Sequence, residues 1–174
     1  FLKDADIYVD SLDIFALNIR RKVFNRCGEL GIPAVTAAPM GMGTSVLAFM
    51  PGHMSFEEHF AFDGHSFEDQ ILKFIVGVSP STIQRHYLLN RESVNLFKKK
   101  VPSTAMGIEL AAGVACTTAL KILLKRGEVR CVPKGLHFDA YRNQLVKTWR
   151  PFGNRNPMQM AMFWYVRWML NKNK

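Results

Sequence analysis

The residues Asp6-Ile-Tyr-Val-Asp10-Ser-Leu-Asp13, a helix-like stretch after them, and then Gly31-Ile-Pro-Ala-Val-Thr-Ala-Ala-Pro-Met-Gly41 decide the fold class. They read as strand, acidic turn, helix and strand. Residues 7–9 form a short apolar strand. Ala16, Ile19, Val23, Cys27 and Leu30 then recur at three- and four-residue spacing, which places one apolar stripe on a helix. Gly31 and Pro33 stop that helix where Val35 can open a second strand. A strand-helix-strand unit of this length closes as a right-handed crossover with parallel strands. Asp10 and Asp13 are therefore expected at the carboxyl end of the first strand, the edge at which open α/β sheets bind ligands.

Outward from this unit the chain continues without a repeat or a low-complexity linker. Residues 44–49 are β-rich and leave the turn at Gly41 to Gly43, and Met50-Pro-Gly-His53 ends the strand. The Gly-Met-Gly sequence predicts a tight turn rather than a phosphate loop, because a strand and not a helix follows it. Residues 67–76 predict a helix with Glu68 and Asp69 in its first turn, ended by Ser79-Pro80. Ser103 can cap a helix over 104–126 that is apolar on nearly all sides through Ala119 and is expected to be buried. Strands are predicted near 130–133, 136–139 and 145–149, with Tyr141-Arg-Asn143 turning the last hairpin. A final helix over 158–170 covers roughly 20 Å, too short to cross a bilayer, and Arg167 interrupts it. Its Phe163, Trp164, Tyr165, Trp168 and Met169 predict burial in the core or in a homodimer contact, with attachment to a lipid surface as the alternative.

Composition bounds the answer. At 174 residues, 48% hydrophobic and 21% charged, the chain can bury one sizeable core. Neither a signal peptide nor an uninterrupted apolar span of membrane length stands out, and three cysteines without metal spacing fit reduced thiols and a cytoplasmic location. The formal charge of +9 is uneven: residues 1–80 carry 6 Lys and Arg against 10 Asp and Glu, and the remainder carries 17 against 4. A basic second part forms a solvated face or attracts an acidic partner protein, a nucleic acid or an anionic membrane surface, whereas Lys98-Lys99-Lys100 is too short a run to mark a nucleic-acid patch. His53, His59 and His65 repeat at a spacing no compact zinc motif uses and read as loop residues. Cys27 and Cys116 read as core thiols, Arg20 and Arg21 as solvent-facing, and Glu109 as a buried acid or a first-turn glutamate.

The order of the pieces resembles the ThiF/MoeB/HesA family of adenylating enzymes, relatives of the ubiquitin-activating enzymes. The resemblance is carried by Asp10-Ser-Leu-Asp13, Arg20-Arg21, Asn25, Cys27, Gly31-Ile-Pro33 and Ala37-Ala-Pro-Met-Gly41. It continues through Pro51-Gly-His-Met-Ser-Phe56, Ala111-Ala-Gly-Val-Ala-Cys-Thr-Thr-Ala-Leu-Lys121 and the strand ending in Phe138-Asp139. It implies an α/β fold: the C-terminal part of a Rossmann-like domain with a mixed sheet, its parallel strand-helix-strand unit followed by antiparallel strands and a buried helix. The family's Gly-x-Gly-x-x-Gly turn lies upstream of the paired aspartates, so residues 1–174 are expected to be a single ThiF-like domain lacking its N-terminal nucleotide-loop half. Ile14, where simpler members have Asn, marks a divergent subfamily. No Cys-x-x-Cys pair occurs, and no structural zinc is expected.

The resemblance also implies chemistry: ATP-dependent adenylation of a carboxylate, on a protein C-terminus or a small acid, with release of pyrophosphate. Mg²⁺ takes hard oxygen ligands, usually one or two carboxylates with phosphates and water. Asp13 is accordingly the expected catalytic and Mg²⁺-binding residue, and Asp10 and Asp13 the expected cofactor-binding pair. On spacing alone an aspartate ahead of a helix is better explained as an N-cap, and the resemblance reverses that for Asp13 only. The two roles are compatible, since one carboxylate has two oxygens. Implied partners are a second copy of the chain and an acidic or ubiquitin-like carrier protein, and the fragment by itself is expected to be inactive. Two other readings stay open: a non-catalytic ThiF-like scaffold that binds a partner through its basic second part, and an NAD- or FAD-binding oxidoreductase domain.

Overall fold

The computed structural model describes residues 1–79, 81–87 and 103–172, so Pro80 and the Lys98-Lys99-Lys100 run lie outside the described residues. Strand β1 (Tyr8–Asp10) leads to helix α1 (Leu17–Leu30), β2 (Ala34–Met40) and β3 (Gly43–Phe49). Helices α2 (Phe56–Phe60), α3 (Phe67–Val78) and α4 (Ala105–Leu123), the hairpin β4 (Lys134–Asp139) and β5 (Gln144–Trp149), and helix α5 (Pro157–Lys172) complete the order. Short 3-10 turns occur at Ile83–His86 and Gly153–Arg155. The five strands form one mixed sheet in sequence order. Strand β1 pairs parallel to β2, with Asp10 opposite Thr36, and every later pair is antiparallel. The crossover unit and the antiparallel half thus form as the sequence predicts.

Alternation along the strands sorts the core into two layers. Ala34, Leu47 and Phe49 face α1, α2 and α3 and join a cluster with Tyr8, Phe24, Phe56, Phe60 and Phe74. Val35, Val46 and Ala48 face the opposite way, toward Val114 and Ile122 of α4. In the first layer Phe24 stacks on Phe56 with ring centroids 4.3 Å apart, and Phe56 contacts Phe60 at 4.7 Å. Close aromatic pairs of this kind add to what their buried area supplies.

Several local expectations are corrected. The buried stripe of α1 is Leu17, Arg20, Phe24 and Cys27, one residue round from the stripe read in the sequence, and Ile19 and Leu30 are exposed. Both stripes satisfy helical spacing; the structure chooses the one with two large apolar groups and an arginine that finds a buried partner. Helix α4 is buried only along Gly107, Ala111, Ala115 and Ala119, while Met106, Ile108, Leu120, Leu123 and Leu124 are exposed. Small residues at four-residue spacing let the helix lie close on β2 and β3, and the larger apolar side chains point away. Cys116, expected in the core, is exposed on that outer face, as is Glu109. By length and composition α4 is apolar enough to cross a bilayer, the one such helix among the described residues, although no such span stood out in the sequence.

No strand forms at 130–133, where only an isolated bridge joins Cys131 to Ala48; Pro133 lacks the N–H a ladder needs. The sequence reading passed over α2, whose Ser55 and Glu58 form a reciprocal capping box. His59 lies on that helix, fully buried, rather than in a loop. Helix α5 buries Phe163 and Gln159 against α3 but leaves Trp164, Tyr165 and Trp168 exposed.

Candidate functional site at the carboxyl end of the first strand

Tyr8 and Asp10 lie on the same face of β1, under α1. Asp10 is buried, and both of its oxygens are occupied. Oδ2 accepts from Arg20 Nε at 2.8 Å and from the Thr36 hydroxyl at 2.9 Å; Oδ1 accepts from the Tyr8 hydroxyl and the Leu12 amide, each at 3.2 Å. Arg20 also donates through Nη2 to the Leu12 carbonyl, and its guanidinium lies 4.6 Å from the centre of the Phe74 ring. Burial is the main force that raises the Tyr8 hydroxyl well above the usual tyrosine range, with the adjacent Asp10 charge and hydrogen bond adding to it. Arg20 is thus buried at 3% exposure, not solvent-facing as the sequence reading has it. Arg21 is half-buried and binds Glu57 through two nitrogens at 2.8 Å each.

These contacts fix the segment between β1 and α1 from two sides. The arginine ties the end of the strand, at Asp10, to the following backbone, at Leu12. Beyond Leu12 the chain turns at Asp13, whose Oδ1 accepts from the Phe15 amide at 2.8 Å, an Asx turn one step ahead of the helix. The residue preceding α1 is Ala16, with no side-chain cap, so Asp13 is not the N-cap the alternative reading supposed. Asp13 is exposed, and no partner for its Oδ2 occurs among the described residues. The two aspartates therefore divide the work: Asp10 is consumed in holding the turn, and Asp13 presents one unused carboxylate oxygen at the sheet edge.

Strand β2 runs on from Thr36, opposite the end of β1, to Met40; Ala38 packs on the face that carries α1, and Ala37 on the opposite face, toward α4. The strand ends in a hairpin whose first turn residue, Gly41, has φ +61°, a conformation glycine adopts freely. The start of α4 sits on this hairpin: the Thr104 hydroxyl donates to the Gly41 carbonyl at 2.5 Å, and a Cβ on Gly107 would lie 2.5 Å from the same oxygen. On the other side Tyr87 donates to Asp139 at 2.5 Å and accepts from the Met42 amide at 2.8 Å. Burial and the hydrogen bond to Asp139 push the Tyr87 hydroxyl up to about 12.

Among the described residues no three His, Cys, Asp or Glu side chains come together as a metal cluster. What the site offers a cation is the single exposed carboxylate of Asp13, which suits an ion whose other ligands are phosphate and water oxygens. Arg20, Thr36 and Tyr8 were missed in the sequence. Arg20 repeats with Leu17, Phe24 and Cys27 at helical spacing, and Tyr8 alternates with Asp10, so the periodicity held a signal that the polar character of the groups obscured.

The profile of the ThiF family matches residues 1–160, and the chain belongs to that family. Solved structures with the same fold include E. coli MccB with ATP, 16% identical with a TM-score of 0.52, covering 84% of this chain and 38% of that one. E. coli MccB with MccA-N7isoASN is likewise 16% identical, with a TM-score of 0.53, covering 84% of this chain and 39% of that one. The chain thus spans less than two-fifths of the length of these structures. A search of curated proteins found no match.

Proposed function

We propose that this chain carries the metal-binding edge of an adenylating enzyme that activates a carboxylate with ATP. Membership of the ThiF family supports an adenylyltransferase-type function by analogy, and the fold is that of MccB, of which a structure with ATP exists. The observation that carries the reading is the division of roles between the two aspartates. Asp10 is saturated and buried, whereas Asp13 is exposed with Oδ2 unengaged. A Mg²⁺ ion held at Asp13 would supply charge neutralisation on the triphosphate during attack at the α-phosphorus.

The chain's own residues supply position. Asp10, Arg20 and Thr36 keep the turn from shifting, and the Asx hydrogen bond from the Phe15 amide fixes one oxygen of Asp13 and leaves the other unengaged. The acceptor is a carboxylate on a small acid or on a protein C-terminus, and the protein works as a homodimer in the cytoplasm.

The test is ATP–pyrophosphate exchange in the protein as the cell makes it. Asp13→Asn keeps the Oδ1 acceptor and the shape but loses the charge. It is expected to leave folding within about 1 kcal/mol, as for exposed sites generally, while abolishing most exchange. Undiminished exchange in that variant would overturn the role assigned to Asp13.

A further inference from the structure

Away from β1 and its turn, α3, α5, the Gly153–Arg155 turn and residues 61–65 line an open pocket of about 270 Å³. Lys73 enters it from α3; only 9% of the residue is exposed. Its ammonium has no hydrogen-bond or ion-pair partner among the described residues and lies 5.6 Å from the centre of the Phe163 ring. Both acids that could neutralise it are engaged elsewhere. Asp69, one helical turn before Lys73, pairs with Arg167 at 3.2 Å, and Asp63, on the rim, pairs with Arg21 at 3.2 Å. Arg155, also lining the pocket, adds a second positive charge. The Lys73 stem is packed away from solvent while its ammonium opens on the pocket with no anion bonded to it, and charged groups so placed are ordinarily paired.

We propose that this pocket binds a small organic monocarboxylate, its anionic end on Lys73 and its apolar body against Phe163 and Trp164. Lys73 and Arg155 bring two positive charges to the pocket, and the rim carboxylate of Asp63 is already paired with Arg21, so the pocket is set to receive an anion, and its apolar lining favours an organic one over phosphate. The walls argue for an apolar body: Phe163 and Trp164 meet at 5.3 Å with their rings steeply inclined, and Met160 completes that side. His65 stands edge-on to Phe163 at 6.0 Å. Burial and the Lys73 charge hold His65 below the usual histidine range, so it adds no charge at neutral pH. Burial and Arg155 likewise pull the Lys73 ammonium below the usual lysine range, and a bound carboxylate reverses that shift. None of the lining residues belongs to β1, its turn or β2, so the inference does not rest on the nucleotide reading.

Isothermal titration of the full chain with benzoate, in the absence of ATP and Mg²⁺, tests this. One benzoate per chain is expected, with neutral benzamide at least about ten-fold weaker, the margin a charge-assisted hydrogen bond supplies. Inorganic phosphate is expected to bind more weakly than benzoate. Lys73→Met, which keeps length and removes the charge, is expected to weaken benzoate at least about ten-fold without lowering the melting temperature, since methionine retains the packing of the buried stem. Equal binding of benzoate and benzamide, tighter binding of phosphate, or wild-type benzoate affinity in a folded Lys73→Met chain would each overturn the proposal. The comparison of benzoate with benzamide decides it even if the variant fails to fold.

Discussion

Asp10 and Arg20 form an ion pair at 2.8 Å with side chains only 1% and 3% exposed, and this pair joins the last residue of β1 to the first turns of α1. It is the contact through which the acidic turn acquires a fixed shape. Removing one partner strands a buried charge, so Arg20→Met alone is expected to destabilise by about 3–5 kcal/mol. Replacing both, as Asp10→Asn with Arg20→Met, is expected to cost less than the sum of the singles. Urea unfolding midpoints at constant m-value check this.

His59 predicts an acid-sensitive fold. Its ring lies within 3.3 Å of the Gly77 carbonyl, between Phe49 and Phe60, and burial pulls its pKa from the usual 6.5 down to about 4. The folded state therefore disfavours the charged imidazolium relative to the unfolded chain. Its contribution is fully present above about pH 6.5 and is lost as the pH falls toward 4, in total on the order of 3 kcal/mol. His59→Gln removes the titration. Its stability measured from pH 7 to 4 is expected to fall less steeply than that of the wild type; parallel curves would assign acid sensitivity to other groups.

Gly107 lets α4 lie against the Gly41 hairpin. A Cβ there would meet the Gly41 carbonyl at 2.5 Å and the Thr104 hydroxyl oxygen at 3.2 Å, and the carbonyl, a backbone atom, cannot retreat without moving the hairpin. Gly107→Ala is expected to destabilise by about 1–3 kcal/mol despite the better helix propensity of alanine. Ala112→Gly on the exposed face serves as the comparison, at about 1 kcal/mol or less.

The outer face of α4 predicts self-association of the 174-residue chain. Ile108, Leu120, Leu123 and Leu124 are all about half exposed, a surface larger than isolated apolar residues explain. Light scattering is expected to give a mass above that of a monomer, and Leu120→Lys with Leu124→Lys to restore the monomer. The same chain is expected to bind Mg-ATP weakly or not at all, because Asp13 offers a nucleotide one carboxylate and no enclosing wall. Tight stoichiometric binding by a monodisperse monomer would refute both expectations.

Much of the fold was legible because its signals are local. Gly31 takes the left-handed conformation that ends α1, with φ +68°, and Asp10, Ser11, Leu12 and Asp13 stand just where β1 gives way to the turn before α1. The capping box at Ser55 and Glu58 was equally local and was passed over. Parallel pairing of β1 and β2 followed from the length of the connection.

What the sequence could not determine by itself was which of two equivalent stripes α1 would bury, which face of α4 would lie outward, and which aspartate would remain free. Period and hydropathy are properties of one segment, and Ile19 satisfied them as well as Phe24 did. The choice depended on groups distant in the chain. Thr36 and Arg20 saturate Asp10, Val46 and Ala48 lie under the small-residue side of α4, and Arg167 draws Asp69 away from Lys73. A carboxylate or an ammonium becomes available for chemistry only after its neighbours have been assigned, and in this protein the tertiary structure assigns them.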